Sequence, residues 1–400
     1  MIKRDLYLNR VISFKDKQLI KIITGMRRSG KSTLMLLFEE YLMKNNVSSK
    51  NIIHMNFESM EYDFIKDYKD LYVYIKRKLP NGRTYILLDE IQQIEKWEKA
   101  ILSMTVDFDV DIYLTGSNAY LLSSELSTLL AGRYVEIKMF PLSFKEFLDF
   151  NISDSNFNVE NQFNKYLKYG GLPLINTLDD NELSITSYLK DVYDAVIKKD
   201  IMTRNSLKDP ALLENLTAFL AGNIGSTISP NKISNYISNG SVNPTNVTIE
   251  NYLKMLESAF IIYKANRYDI KGKQLLKTLG KYYIVDTGIR NAVIGYRDAD
   301  YGHVLENVVY LELLRRGYEV CTGKNGDYEI DFIASKEDNK KYYQVTLSLT
   351  NEDVMKRELR SLVNIPDNYE KIIITSDKSF IQSNEGIKYV NIIDFLLETE

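Results

Sequence analysis

The segment Gly25-Met-Arg-Arg-Ser-Gly30-Lys31-Ser32 constrains this 400-residue chain more than any other. An apolar run, Leu19–Thr24, precedes it and reads as a buried strand. Lys31–Lys44 follows with Leu34, Leu37, Phe38, Tyr41 and Leu42 at helical spacing. Between the two, the glycines let the backbone curl so that successive N–H groups converge on an anion, and the helix adds its positive N-terminal end. Gly25, Arg28, Ser29 and Gly30, with Lys31, Ser32 and Thr33 opening the helix, form the candidate nucleotide cradle. Lys31 neutralises phosphate charge and Ser32 offers a hydroxyl to magnesium, so ATP with Mg2+ is the expected pair.

Further along, Tyr85-Ile-Leu-Leu-Asp89-Glu90 is an apolar strand closed by two acids. Asp89 at the strand's end is the second candidate metal ligand, and Glu90 is placed to polarise an attacking water. Ile112-Tyr-Leu-Thr115-Gly-Ser117-Asn118 ends the next strand in small polar residues. Asn118 is the candidate sensor of the terminal phosphate there, with helix capping as the alternative. Arg133 is a candidate for stabilising transition-state charge, in its own subunit or a neighbour's, with an ordinary surface arginine as the alternative.

Strands at Leu19–Thr24, Asn51–Phe57, Thr84–Leu88, Asp111–Thr115 and Tyr134–Ile137, separated by helical segments, imply an α/β domain with a parallel sheet over about 1–150. The Asn-rich stretch Asn151–Asn164 reads as a linker or surface loop, and Tyr166–Thr203 as interrupted helix, giving a helical lid or linker region over 151–209. Helices at Ala211–Ala221, Asn231–Ser238 and Ile249–Ser258, followed by β-like runs at Phe260–Arg267 and Tyr282–Asp286, have the order of a winged helix, 210–300. A last α/β unit, 301–400, opens with a helix at Val304–Arg316. Strands follow at Tyr318–Thr322, Tyr328–Ala334 and Lys341–Leu347, then a helix at Asp353–Val363 and a strand at Lys371–Thr375. The N-terminus has no apolar leader and no segment has the length of a membrane helix. Cys321 is the only cysteine, which fits a reducing compartment. The expectation is a cytoplasmic chain with no membrane partner.

Several blocks together carry a family resemblance. They are Gly25–Thr33, Leu87-Leu-Asp89-Glu90-Ile-Gln92 with Trp97, Leu114-Thr-Gly-Ser-Asn118, Leu130-Ala-Gly-Arg133, Phe140-Pro-Leu-Ser-Phe-Lys-Glu-Phe147, Tyr169-Gly-Gly-Leu-Pro173 and Tyr283-Ile-Val-Asp-Thr-Gly288. In that order they resemble the prokaryotic AAA-type ATPases that carry a C-terminal domain of unknown function. The resemblance implies an AAA-like P-loop fold using ATP and magnesium, and a winged helix; a homo-oligomer through the AAA-like domain is a separate candidate partner.

Two further features bear on partners. Between Lys264 and Lys281 lie Lys264, Arg267, Lys271, Lys273, Lys277 and Lys281 against a single acid, Asp269, in a chain whose net charge is −3. Arg267, Lys271, Lys273 and Lys277 are the candidate nucleic-acid contacts, with a solvated hairpin, or a winged helix used for protein contacts, as the alternatives. In the last unit, His303-Val-Leu-Glu306, Glu329-Ile-Asp331 and Tyr343-Gln344-Val-Thr346 resemble the restriction-endonuclease-like core. Active members of that class carry magnesium-binding acids at the positions of Asp331 and Gln344, a lysine at that of Thr346, and a further acid at that of Glu306. Gln344 and Thr346 therefore imply a degenerate site without nuclease activity. Three readings remain in view: an ATPase acting through this tail on or near nucleic acid, an ATP-gated nuclease, and a nucleotide switch that scaffolds protein assembly without turnover.

Overall fold

The computed structural model describes residues 3–119, 130, 132–151, 157–178, 181–203, 207, 209–237, 244–378 and 383–398, and at 277–279 and 384 the backbone alone. The described chain divides into two compact units, one of residues 1–139 with 258–260 and one of residues 140–257 with 261–400.

The first unit is a five-stranded parallel sheet of β1 (Ile20–Thr24), β2 (Ile52–Asn56), β3 (Thr84–Asp89), β4 (Val110–Gly116) and β5 (Tyr134–Lys138), in the spatial order β2-β3-β4-β1-β5. Both faces are covered, which is why β1 and β3 are buried along their whole length. Successive side chains leave on opposite faces. Ile20, Ile22, Ile86, Leu88, Ile112 and Leu114 enter one core with α3 (Tyr68–Lys78) and α4 (Trp97–Asp107). Ile23, Tyr85, Leu87 and Tyr113 enter the other with α1 (Asp5–Ser13) and α2 (Lys31–Lys44). Lys21 is also buried; its ammonium is paired with Asp111.

The second unit begins with α5 (Phe144–Asn151), α6 (Val159–Tyr169) and α7 (Glu182–Ala195), the last running into a π-helical turn at Val196–Met202. Of the stretch read as a loop from Asn151 to Asn164, the part from Val159 is helical. Asn158 caps it by accepting from the backbone N–H of Glu160 and Asn161, and it buries Gln162, Phe163, Tyr166 and Leu167. The Asn-rich composition hides that apolar stripe. Next come α8 (Pro210–Gly222), β6 (Thr227–Ile228), α9 (Pro230–Ile237), α10 (Asn246–Ser258), β7 (Ile262–Asp269) and β8 (Gln274–Ile284). After α11 (Thr287–Ile294) and α12 (Tyr301–Arg315) come β9 (Glu319–Asn325), β10 (Tyr328–Lys336), β11 (Asn339–Thr346), α13 (Glu352–Val363), β12 (Glu370–Thr375), β13 (Ser383–Asn384), β14 (Ile387–Asn391) and α14 (Ile392–Leu397).

The β7–β8 hairpin is not a separate ribbon. β7 pairs in parallel with β9, Arg267 opposite Thr322 and Asp269 opposite Lys324, so the hairpin and the C-terminal strands form one nine-stranded sheet, β13-β14-β12-β11-β10-β9-β7-β8-β6. Among the described residues, no helix is long and apolar enough to cross a membrane.

A backbone lock ties α11 to α6. Asp286 caps α11 and accepts from the N–H groups of Ile289 (3.0 Å) and Gly171 (2.6 Å). Burial pushes its carboxyl up to about 6, although backbone donors at Gly171, Ile289 and Gly288 work against the rise. Thr287 and Asn291 donate to the carbonyls of Tyr166 (3.0 Å) and Lys168 (2.7 Å), satisfying the open end of α6. The contact leaves no room for side chains: a Cβ on Gly288 would lie 2.0 Å from the Tyr169 carbonyl oxygen, and one on Gly170, whose φ is +80°, 2.0 Å from Asp286 Oδ1.

Gly288→Ala should therefore destabilise the second unit by about 3 kcal/mol or more, because the clash is with backbone that cannot turn aside. Gly302→Ala, where a Cβ meets nothing within 4 Å, should be neutral or stabilising by up to about 1 kcal/mol. Urea unfolding followed by circular dichroism separates the two, and equal effects would show that the lock is not rigid.

Candidate nucleotide site

The strand order sets this site. β4 is inserted between β1 and β3, and all three run parallel, so the loop after β1 and the acids after β3 emerge on the same edge of the sheet, on either side of β4's end. Gly25 follows β1 with φ +149°, and a Cβ there would sit 2.1 Å from the Met139 carbonyl oxygen. Gly30, at φ +99°, caps α2, and Arg28 between them is left-handed at φ +68° and exposed. Lys31 is buried and donates to the carbonyls of Gly25 and Met26, both at 3.0 Å. Ser32 is exposed and Thr33 half-buried on the first turn of α2. Ser29 is held from outside the loop by Arg4, whose guanidinium donates to its carbonyl at 2.9 Å.

Three adjacent strands each deliver a polar side chain at this edge. Asp89, 1% exposed, ends β3. Its Oδ1 accepts from the Thr115 hydroxyl on β4, and its Oδ2 from the Asn56 amide on β2 at 3.1 Å. The same Thr115 oxygen accepts from the Glu90 backbone N–H at 3.0 Å. Glu90 is a non-glycine residue in the left-handed region, φ +54° and ψ +45°, a conformation that persists only where surrounding contacts impose it. Gln92 and Ser117 both donate to its Oε2, the latter at 3.3 Å. Asn118 is buried just beyond β4.

These residues fit a magnesium–nucleoside triphosphate. The loop leaves no room for a side chain at Gly25, which packs on the Met139 carbonyl, and the Ser29 hydroxyl is buried without a hydrogen-bond partner. Ser32 and Asp89 are hard oxygen donors of the kind magnesium takes. Reading the sequence brought out Gly25–Thr33, Asp89, Glu90 and Asn118, which the fold gathers at one edge. It did not bring out Arg4 or Asn56, and it noted Gln92 and Thr115 only within longer motif blocks, with no role assigned. Arg133 is not brought here. Its carbonyl accepts from the Ile20 N–H at 2.8 Å, at the opposite end of β1 from the loop and roughly 13 Å away along the strand. Its side chain is exposed.

The second set of expected residues also converges. Glu306, Asp331, Gln344 and Thr346 line a cavity of about 560 Å³ together with Glu329 and Glu358. The unexpected partner of these acids is Lys281 of β8. The ammonium lies 2.9 Å from Glu306, 2.8 Å from Glu329 and 3.1 Å from Asp331, and the residue is 3% exposed. Burial alone would lower its pKa, but the carboxylates of Glu306, Asp331 and Glu329 hold it well above the usual lysine value. Glu306 is pushed up to about 7 by burial and by Asp331, with Lys281 and Tyr283 opposing. Lys281 is thus withdrawn from the basic run to which it belongs in sequence. Lys271 and Lys273 are exposed near the hairpin's turn, Arg267 is half-buried, and the side chain of Lys277 lies outside the described residues.

A family model described as an AAA domain matches residues 17–148, and one described as a domain of unknown function (DUF8612) matches 160–300. Residues 301–400 fall outside both. An uncharacterized protein of Haemophilus influenzae is 45% identical over 402 residues, spanning 100% of this chain and 99% of that protein. One of Methanocaldococcus jannaschii is 30% identical over 389 residues, spanning 93% and 82%. A solved structure of a Walker-type ATPase of Pyrococcus abyssi superposes with a TM-score of 0.54 at 14% identity, covering 73% of this chain and 96% of that one. That likeness is one of fold.

Thr115→Val keeps the shape of β4 but removes the hydroxyl shared by Asp89 and Glu90. Nucleotide turnover should fall by about 10- to 100-fold, with a smaller change in nucleotide affinity. Steady-state kinetics beside a binding titration measure the two, and an unchanged turnover would mean that the clamp is not needed.

Proposed function

We propose that this chain, which belongs to the family of AAA-domain proteins shared with the Haemophilus influenzae and Methanocaldococcus jannaschii relatives, binds ATP with Mg2+ at Gly25–Thr33 and hydrolyses it. The observation that carries this reading is the clamp in which Thr115 joins Asp89 and Glu90 at the same sheet edge as the loop. The backbone N–H groups of the loop and the N-terminus of α2 receive the β- and γ-phosphates. Lys31 moves its ammonium from the Gly25 and Met26 carbonyls to the phosphate oxygens. Ser32 and Asp89 hold the metal, which when bound neutralises charge developing on the phosphates. Glu90 orients and deprotonates the attacking water, its carboxylate steadied by Ser117 and Gln92, while Asn118 reads the terminal phosphate.

Arg133, exposed at the opposite sheet edge, acts on this reading across a subunit boundary in a homo-oligomer. α8, α9 and α10 with the β7–β8 hairpin form the winged helix. Its helix α10 carries Glu250 and Glu257 against Lys254, so the exposed lysines near the hairpin turn supply the nucleic-acid contacts. Such contacts are salt-sensitive and weakly specific.

Lys31→Ala should abolish ATP binding in a folded protein, whereas Glu90→Gln should bind ATP and lose a factor of about 10²–10⁴ in turnover. Isothermal titration with a phosphate-release assay distinguishes the two; wild-type turnover by Glu90→Gln removes Glu90 from its role. Arg133→Ala should lose less turnover than Glu90→Gln; mixing the two variants should raise activity above that of either alone if the arginine serves a neighbour's site, and no gain would place it elsewhere. For the hairpin, Lys271→Ala with Lys273→Ala should reduce the slope of log affinity against log salt by about two phosphate contacts. An unchanged slope, or no binding by the parent at low salt, would make the hairpin a plain solvated turn.

A further inference from the structure

The carboxylate cluster of the second unit sits where the resemblance to restriction-endonuclease-like cores implies magnesium, and its residues do not fit a metal. Asp331 presents Oδ1 to Lys281 at 3.1 Å and Oδ2 to the Val345 N–H at 3.0 Å. The Gln344 side-chain oxygen accepts from the Asp331 N–H at 3.2 Å, so the amide at the second ligand position is turned onto the backbone. Glu306 Oε1 accepts from both Lys281, at 2.9 Å, and the Tyr283 hydroxyl, at 2.7 Å. Its Oε2 packs against Gly225, where even a Cβ would come within 2.7 Å. Glu329 Oε1 takes the third contact of the ammonium.

We infer that Lys281 is the resident cation of this cluster, an internal ammonium that occupies the place of a divalent metal and keeps the cavity from binding Mg2+ or Mn2+. Magnesium requires oxygens at about 2.0–2.1 Å in near-octahedral array. Here the inward-facing oxygens are already drawn around a nitrogen, and a dication in the same space would have to expel it. One ammonium against three carboxylates leaves the cluster short of positive charge, and the raised proton affinity of Glu306 is consistent with that deficit. Lys281 also comes from the hairpin strand, while Glu306 belongs to α12 and Glu329 and Asp331 to β10. The same charge that replaces the metal therefore fastens β8 to the C-terminal strands. This inference does not rest on the nucleotide reading, since none of these residues takes part in it.

The test is a Mn2+ titration of the full chain without nucleotide, read from the loss of the free-ion signal in electron paramagnetic resonance. In the wild type, Asp331→Asn should leave the titration unchanged. Lys281→Met, which keeps the stem and removes the charge, should gain a Mn2+ site about tenfold or more tighter than any in the wild type, because two buried carboxylates, Glu306 and Asp331, and the part-exposed Glu329 then lack their shared counter-ion. That site should vanish when Asp331→Asn is added, and Mn2+ should raise the variant's melting temperature but not the wild type's. Lys281→Arg, retaining a cation, should stay indifferent to the metal. If Lys281→Met does not fold even in Mn2+, Lys281→Met with Glu306→Gln removes one charge of each sign and carries the same titration. The inference is overturned by a wild-type Mn2+ site that disappears in Asp331→Asn, or by folded Lys281-lacking variants that gain no Mn2+ response.

Discussion

The nucleotide site depends on the insertion of β4 between β1 and β3. Because the strands are parallel, their C-terminal ends share one edge, and because β4 is the middle one, Thr115 stands between the loop after β1 and the acids after β3. One hydroxyl then does two jobs: it donates to Asp89 and accepts from the Glu90 N–H, holding Glu90 in a left-handed backbone. Such a conformation costs of order 1–3 kcal/mol. The layered cores on both sheet faces supply the rigidity that sustains it.

The second unit is organised by buried polar contacts between segments far apart in the chain. Asp286 caps α11 while binding the Gly171 N–H, 115 residues away in sequence. Lys281 reaches 25 residues to Glu306 and 50 to Asp331. Removing one member of a buried charge set typically costs about 3–5 kcal/mol, since the others are left unpaired. That penalty makes the association of β8 with α12 and β10 specific. Parallel pairing of β7 with β9 extends the same association through the backbone.

Much of the first unit was legible because its signals are local. The loop Gly25–Ser32 declares itself through glycine spacing, and Asp89–Glu90 through an apolar run that ends in acids. Long helices with apolar stripes, such as Lys31–Lys44, were equally plain. What escaped was either diluted or non-local. The helix Val159–Tyr169 is masked by asparagine, and β8 begins at Gln274, well before the β-like run that starts at Tyr282. Arg133 stood out as one of few arginines near the end of the domain, yet it precedes β5, which begins at the far end of the sheet.

The sequence by itself determined the groups on offer: a glycine-spaced loop opening a helix, an acid pair closing an apolar strand, and a tail that carries Glu306, Asp331, Gln344 and Thr346. Tertiary structure alone decided which groups meet. It delivered Asn56 and Thr115 to Asp89, kept Arg133 away, and turned Lys281 from one lysine of a basic run into the counter-ion of three carboxylates. The physical reason is that a motif is written in covalent spacing, whereas pairing of buried charges is set by strand order and by the penalty for leaving any of them unpaired.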